Sequence, residues 1–147
     1  MANVSDILNA KGRTVQTIGG DATLEAALKL MAEKEVGALV VLEGDKIAGI
    51  FSERDFARKT LTSENFHLQL PVRALMTTPV YFITPDQSLE ECMRLMTEKR
   101  IRHIPVLHDG KLTGLVSIRD VVKFLMADKS YVIQELERFV YSGPEQD

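Results

Sequence analysis

Apolar residues along this chain recur in one pattern, and then the pattern itself recurs. Leu24, Ala27, Leu28 and Met31 stand at helical spacing, and sixty-five residues later so do Leu89, Cys92, Met93 and Met96. Each of these helices is preceded by a short apolar strand, residues 15–18 or 80–83, closed by Gly19-Gly20 or Thr84-Pro85. Asp21 and Asp86 are candidate N-caps, and Ser88-Leu-Glu-Glu91 also fits a capping box one turn on. The helices run to about Lys34 and Lys99. Next come the apolar runs 37–42 and 102–107, which read as buried strands. Glu43-Gly-Asp45 and His108-Asp-Gly110 read as hairpin turns, and Lys46–Ser52 and Lys111–Ser117 as the return strands. Each return strand runs into a helix, residues 53–61 or Ile118–Ala127.

Residues 15–59 align with residues 80–124 without a gap, and sixteen of the forty-five pairs are identical. So dense a match at one offset makes the chain two copies of one unit, ordered strand, helix, strand, strand, helix. A unit of about 50 residues covers its own sheet poorly, whereas two facing units cover each other. Pro71-Val-Arg-Ala-Leu-Met76 enters the second copy much as Val4-Ser-Asp-Ile-Leu8 enters the first, after a polar loop at 62–70. The first lead-in is three residues longer, and the extra stretch carries Lys11 and Arg13. A final helix at 129–141 places Ile133, Leu136 and Val140 at helical spacing, with Tyr131 and Phe139 nearby, before Gly143-Pro144. It has no counterpart in the first copy. Its apolar stripe either covers an exposed edge or packs against a second chain, and periodicity does not choose between them. The expected organisation is a first unit with lead-in and linker at 1–70, a second unit at 71–127, and a helix and tail at 128–147.

Composition narrows the function classes. With 45% apolar and 27% charged residues, a chain of 147 residues has the make-up of a soluble globular protein. Its formal net charge of −3 offers no field for nucleic acid or an anionic membrane surface, so any anion site must be local. The longest apolar run, residues 38–42, is far too short to span a bilayer. The N-terminus lacks a basic segment followed by an apolar one, and a cytoplasmic location is expected. A lone Cys92 among apolar helix positions reads as a small core residue.

Candidate chemistry gathers in a stretch present twice: Gly49-Ile-Phe-Ser52-Glu-Arg54-Asp55 and Gly114-Leu-Val-Ser117-Ile-Arg119-Asp120. Its plain reading is a helix start, with Ser52 or Ser117 as cap and Asp55 or Asp120 at the third helical position, where a carboxylate suits the dipole. An Arg in the first turn opposes that dipole, so its presence in both copies suggests an anion to meet. A carboxylate accepts two hydrogen bonds from the vicinal hydroxyls of a ribose. The Ser hydroxyl, the Arg fork and free helix N–H groups suit a phosphate. Ribose and phosphate together mean a nucleotide. Arg102-His103 begins a strand in the second copy where the first has the small pair Gly37-Ala38. The pair either reaches solvent at a strand end or, if the copies are related by a pseudo-twofold axis, faces a shared groove as phosphate contacts.

Other constellations are weak. His67, His103 and His108 lack metal-ligand spacing, and Glu90-Glu91 lies on a helix surface. The turn at Asp109 lacks the later acidic ligands of a calcium loop, and no glycine-rich phosphate loop of either standard spacing occurs. No base, nucleophile or metal set argues for an enzyme, and no catalytic cofactor is expected.

Two tandem units, each with Leu-Glu and Met on its first helix and a Gly-apolar-apolar-Ser-x-Arg-Asp turn, and with Pro105-Val-Leu107 ending a strand, resemble the CBS domain pair, named after cystathionine beta-synthase. Ser52-Glu-Arg-Asp55 and Arg102-His-Ile-Pro-Val106 look most like small bacterial stand-alone members. The resemblance covers residues 4–127 and implies an α/β (α+β) fold of two tandem β-α-β-β-α units packed about a pseudo-twofold axis, often dimerised. It also implies a regulatory role, with adenine compounds such as AMP, ADP, ATP, NAD or S-adenosylmethionine bound in two clefts. One cleft would set Leu115, Ser117, Arg119 and Asp120 against Lys11, Arg13, Val15, Val36, Gly37 and Ala38. The other would set Ile50, Ser52, Arg54 and Asp55 against Met76, Thr77, Val80, Ile101, Arg102 and His103. Copy one departs by having Val40 in place of Pro105, and the two clefts are expected to differ in affinity. The expected partners are an adenine nucleotide, a second copy in a homodimer and an unidentified protein that reads the signal. The alternative is an oligomerisation or interaction module with vestigial clefts.

Overall fold

The computed structural model describes residues 2–127 together with 133, 134, 136–138 and 140. The first copy contains β1 (Thr17–Gly19), α2 (Leu24–Lys34), β2 (Ala38–Glu43), β3 (Lys46–Ser52) and α3 (Glu53–Lys59), preceded by α1 (Val4–Lys11). The second contains α4 (Leu89–Lys99), β4 (His103–His108), β5 (Lys111–Ser117) and α5 (Ile118–Ala127), preceded by a single 3-10 turn at Val72–Ala74. In the first sheet β1 pairs parallel to β2 and β2 antiparallel to β3; in the second only β4 and β5 pair, antiparallel. The fold is mixed α/β and matches the two-unit architecture expected.

Local chemistry explains where the elements begin and end. The Thr23 and Ser88 side chains accept from the backbone N–H of Ala26 and Glu91, so these residues, not Asp21 and Asp86, cap α2 and α4. Asp21 instead pairs with Arg73, and Asp86 accepts from the Thr84 hydroxyl. Both helices end in a left-handed residue, Glu35 and Arg100, which turns the chain into the next strand. Asp109 and Gly110 both take positive φ in the β4–β5 hairpin, as a tight two-residue turn requires.

The second copy departs from expectation at residues 80–83, which form no strand. In the first copy the Val40 N–H donates to the Gln16 carbonyl and helps lock β1 to β2. The residue equivalent to Val40 is Pro105, which has no N–H to give. Pairing there shrinks to one parallel bridge, Ile83 to Val106, held by Ile83 N–H to Pro105 O and Leu107 N–H to Ile83 O.

Each lead-in packs on the other copy. Val4, Ile7 and Leu8 of α1 lie in a core with Ile83, Leu89, Cys92, Met96, Ile104, Val106, Val116 and Val121. Val72 and Leu75 lie in the core of the first copy with Leu24, Ala27, Met31, Leu39, Val41 and Phe51. The crossings are tied by backbone bonds, Val4 N–H to Gln87 O and Val72 N–H to Ala22 O. Close approach needs the absence of a side chain on the strand beneath. A Cβ on Gly49 would meet Met76 Sδ at 2.6 Å, and one on Gly114 would meet Leu8 Cδ2 at 2.6 Å. These contacts make Leu8 the counterpart of Met76.

Most of the predicted helix 129–141, with Tyr131 and Phe139, lies outside the described residues, as does Gly143-Pro144. The described part is helical, and Ile133, Leu136 and Val140 are exposed.

Candidate functional site

The two Ser-x-Arg-Asp turns are helix caps in full. Asp55 N–H donates to Ser52 Oγ, while Asp55 Oδ2 accepts from Ser52 N–H and Ser52 Oγ–H. Asp120 N–H donates to Ser117 Oγ, and Asp120 Oδ2 accepts from Ser117 N–H. The first helical N–H of each is also taken, Glu53 by Gly37 O and Ile118 by Arg102 O. This corrects the expectation of free helix N–H groups and a free Ser hydroxyl at the turn. Of the first three donors, two are consumed within the fold, so anion binding must rest on side chains.

Cationic side chains gather at the first turn. A cleft of about 260 Å³ is lined there by residues of both copies, close to the lower end of the range for small-molecule sites. Arg54 and Arg58, one turn apart on α3, face Arg100 and Arg102, which flank Ile101 between α4 and β4. None of these four guanidinium groups makes a hydrogen bond or ion pair to another side chain among the described residues. Burial, and then the charges of Arg58 and Arg102, push the Arg54 pKa below its ordinary value against the opposing charge of Asp55. Four guanidinium groups against the carboxylates of Glu53 and Asp55 make a local positive field in a chain of net charge −3. Asp55 Oδ1 accepts from the Thr77 hydroxyl at 2.6 Å, and Ile50, Val80, Ile101 and Tyr81 add apolar and aromatic wall.

Thr77 is held in place by a two-bond bridge to β3, Thr77 N–H to Ile50 O and Ile50 N–H to Thr77 O. At the second turn this place is filled differently. The three extra residues continue the lead-in as helix α1 to Lys11, whose ammonium donates to Leu115 O at 2.8 Å and to Asp120 Oδ2 at 2.6 Å. Burial pushes the Asp120 carboxyl up, but Lys11 and the Ser117 N–H pull harder, and the net is below the usual value.

Of the residues expected at the first-turn cleft, Ile50, Ser52, Arg54, Asp55, Thr77, Val80, Ile101, Arg102 and His103 do line it. Met76 does not: its side chain packs over Gly49 into the first core. Gly37, expected at the other cleft, lines this one, and its Cα face lies toward His103 Nε2. At the second turn Leu115, Ser117, Asp120 and Lys11 come together, while Arg119 is exposed. Arg13 donates to Asn9 Oδ1, Val36 packs against the first core, Ala38 is buried in β2 and Val15 is half-buried. Sequence reasoning missed Glu53, Arg58, Pro79, Tyr81 and Arg100. Arg58 was findable four residues after Arg54 on one helix face, but nothing in the pattern marked Arg100. His103 lies between the turns and senses Asp120, Lys11, Asp55 and Arg102. Among the described residues no acidic, His or Cys cluster suits a metal ion, and no helix is long and apolar enough to cross a membrane.

Comparison with known proteins agrees with this geometry. A family model described as the CBS domain matches residues 4–61 and again residues 72–127. The CBS domain-containing protein CBSX3, mitochondrial, of Arabidopsis thaliana is 34% identical over 149 residues, covering 95% of this chain and 72% of that protein. A solved protein with CBS domains from Burkholderia ambifaria superposes with a TM-score of 0.83 at 50% identity, covering 87% of this chain and 96% of that one. The CBS domain pair of protein MJ0100, solved in complex with 5′-methylthioadenosine and S-adenosyl-L-methionine, shares the fold at a TM-score of 0.75 and 21% identity, over 88% of this chain and 99% of that one. With both of its copies matched, the chain belongs to the CBS domain family as a tandem pair.

Proposed function

We propose that the chain is a regulatory module that binds an adenine nucleotide, AMP, ADP, ATP or NAD, in the cleft at Asp55. The observation that carries this is the convergence of Arg54, Arg58, Arg100 and Arg102, none with a side-chain ion partner among the described residues, on one cleft that also holds a carboxylate. Phosphates suit the guanidinium forks, and the ribose hydroxyls suit Asp55 Oδ1 in place of the Thr77 hydroxyl. Ile50, Val80, Ile101 and the Tyr81 ring suit the base. CBS pairs are regulatory and signal-transduction modules, and the MJ0100 pair, of the same fold, carries two adenosine compounds.

Because the cleft walls come from both copies, a bound nucleotide ties α3 to the α4–β4 junction and biases their relative placement. The second copy of the chain, or a protein partner, reads that change. The test is thermal shift and calorimetric titration with the four nucleotides. A ligand at 100 times its Kd stabilises by about 2.7 kcal/mol, and Asp55→Ala is expected to remove that gain. A full shift in the Asp55→Ala protein would refute the ribose role.

A further inference from the structure

We propose that Lys11 is an internal latch on the second cleft, so that the chain takes up nucleotide at Asp55 and refuses it at Asp120. This rests on the nucleotide reading above and adds what distinguishes the two sites.

The geometry is a substitution of donors. In the first cleft Thr77 donates two bonds, its N–H to Ile50 O at 2.7 Å and its hydroxyl to Asp55 Oδ1 at 2.6 Å. In the second, one ammonium makes both: Lys11 Nζ reaches Leu115 O, the counterpart of Ile50 O, and the Asp120 carboxylate. Thr77 offers a neutral hydroxyl, which a ribose hydroxyl replaces like for like; the nearest ammonium, Lys59 Nζ, donates to Leu75 O, Met76 O and Thr77 Oγ1 and stands 3.8 Å from Asp55 Oδ1. Lys11 offers a charge-assisted bond, roughly twice as strong as a neutral one, and cancels the carboxylate's charge. The ion pair is partly exposed, with side-chain exposures of 36% and 21%, so solvent screens it. Its anchorage on Leu115 O fixes the ammonium in place, which reduces the entropy lost in making the pair.

Lys11 is placed by the chain's own asymmetry. The lead-in residue equivalent to Thr77, three residues displaced by the insertion, is Asn9, and its side chain is occupied by Arg13. Helix α1 continues one turn beyond the Leu8–Gly114 contact before Gly12, at φ +100, ends it. That turn carries Lys11 to the cleft. At the positions of the repeat equivalent to Arg58 and Arg100, the Asp120 side has Lys123 and Glu35, so the arginine at the α4 end is replaced by a carboxylate.

Isothermal titration with ADP tests the latch. Wild type is expected to bind one ADP per chain, and Lys11→Met is expected to bind a second, with affinity at that site raised tenfold or more. In an Asp55→Ala background, which lacks the first site, adding Lys11→Met is expected to restore binding at Asp120. Lys11→Gln, checked for native circular dichroism, serves should the Met variant misfold. Two sites already in wild type, or one site in both wild type and Lys11→Met, overturns the latch while leaving the nucleotide reading intact. A fall in second-site affinity on removing Lys11 also overturns it, by making Lys11 a phosphate contact. No heat from AMP, ADP, ATP or NAD with wild type or variant overturns the nucleotide reading, and the latch with it.

Discussion

Gly114→Ala is expected to destabilise the protein by about 1–2 kcal/mol. A Cβ at Gly114 would stand 2.6 Å from Leu8 Cδ2 and 2.9 Å from Leu8 Cδ1, well inside the favourable carbon contact of about 3.5–4.0 Å. Leu8 is only 1% exposed and shares its core with the second copy, so it has no free space to move into. Overpacking of this kind costs about 1–3 kcal/mol, and replacing a strand glycine recovers about 0.5–1 kcal/mol of backbone entropy. At this chain length each kcal/mol moves Tm by about 2–4 °C, so a fall of about 2–8 °C is expected at fixed protein concentration. Leu8→Ala alone should cost about 2–5 kcal/mol. In the double variant the new methyl occupies part of the space that Leu8 leaves. Urea unfolding should then show the double variant more stable than the sum of the singles by about 1 kcal/mol, beyond the ~0.3–0.5 kcal/mol scatter of independent sites. Additive costs, or a Gly114→Ala protein with wild-type Tm, would refute the crossing contact.

Two further expectations follow from buried titratable groups. Burial, first of all, holds the His103 imidazole below its ordinary 6.5, with Lys11 and Arg102 adding to the effect and Asp120 and Asp55 opposing it. In that window the unfolded chain binds the proton better than the folded one, so stability should fall as pH drops from 6.5 through the folded value. His103→Gln should flatten this stretch of a urea stability profile, and an unchanged slope would contradict the assignment. Burial also pushes the Cys92 thiol up to about 11, and the side chain is fully enclosed. A thiolate-directed reagent at neutral pH should therefore label Cys92 only as the protein unfolds; labelling at the rate of a free thiol would show an open core.

The repeat carried most of the fold into view. Lys46–Ser52, Lys111–Ser117 and Ile118–Ala127 run as their apolar pattern predicts, because alternation and helical spacing report burial directly. The caps at Thr23 and Ser88 competed with nearby aspartates of similar capping strength, and pattern alone does not rank such rivals. The lost strand at 80–83 depended on one missing N–H, at Pro105, visible only once its partner carbonyl at Tyr81 was placed by the repeat. Lead-in crossing was not legible at all, since an apolar triplet such as Val4, Ile7 and Leu8 says that it is buried and not against what. The same gap hid the reach of the site: Arg54 and Asp55 announced themselves by recurrence, but Arg100 enters the cleft only because the left-handed residue ending α4 aims the chain that way.

The repeated Ser-x-Arg-Asp shows why recurrence of a motif does not imply recurrence of a function. In both copies serine and aspartate satisfy each other and start a helix, a role that suffices to explain their spacing. What differs is the neighbour delivered by the opposite lead-in, a threonine hydroxyl in one case and a lysine at a helix end in the other. Three residues inserted before the repeat decide this, without altering a residue of the motif. The carboxylate that faces a neutral hydroxyl has an acceptor a ligand can take over, and it stands beside four guanidinium groups without a side-chain ion partner among the described residues. The Asp120 carboxylate instead takes a direct hydrogen bond from the Lys11 ammonium at 2.6 Å, whereas the Lys59 ammonium stands 3.8 Å from Asp55. Binding capacity in this chain is thus set by the lead-ins, and sequence changes at residues 9–14 should alter the number of ligands bound more than changes at the equivalent strand residues.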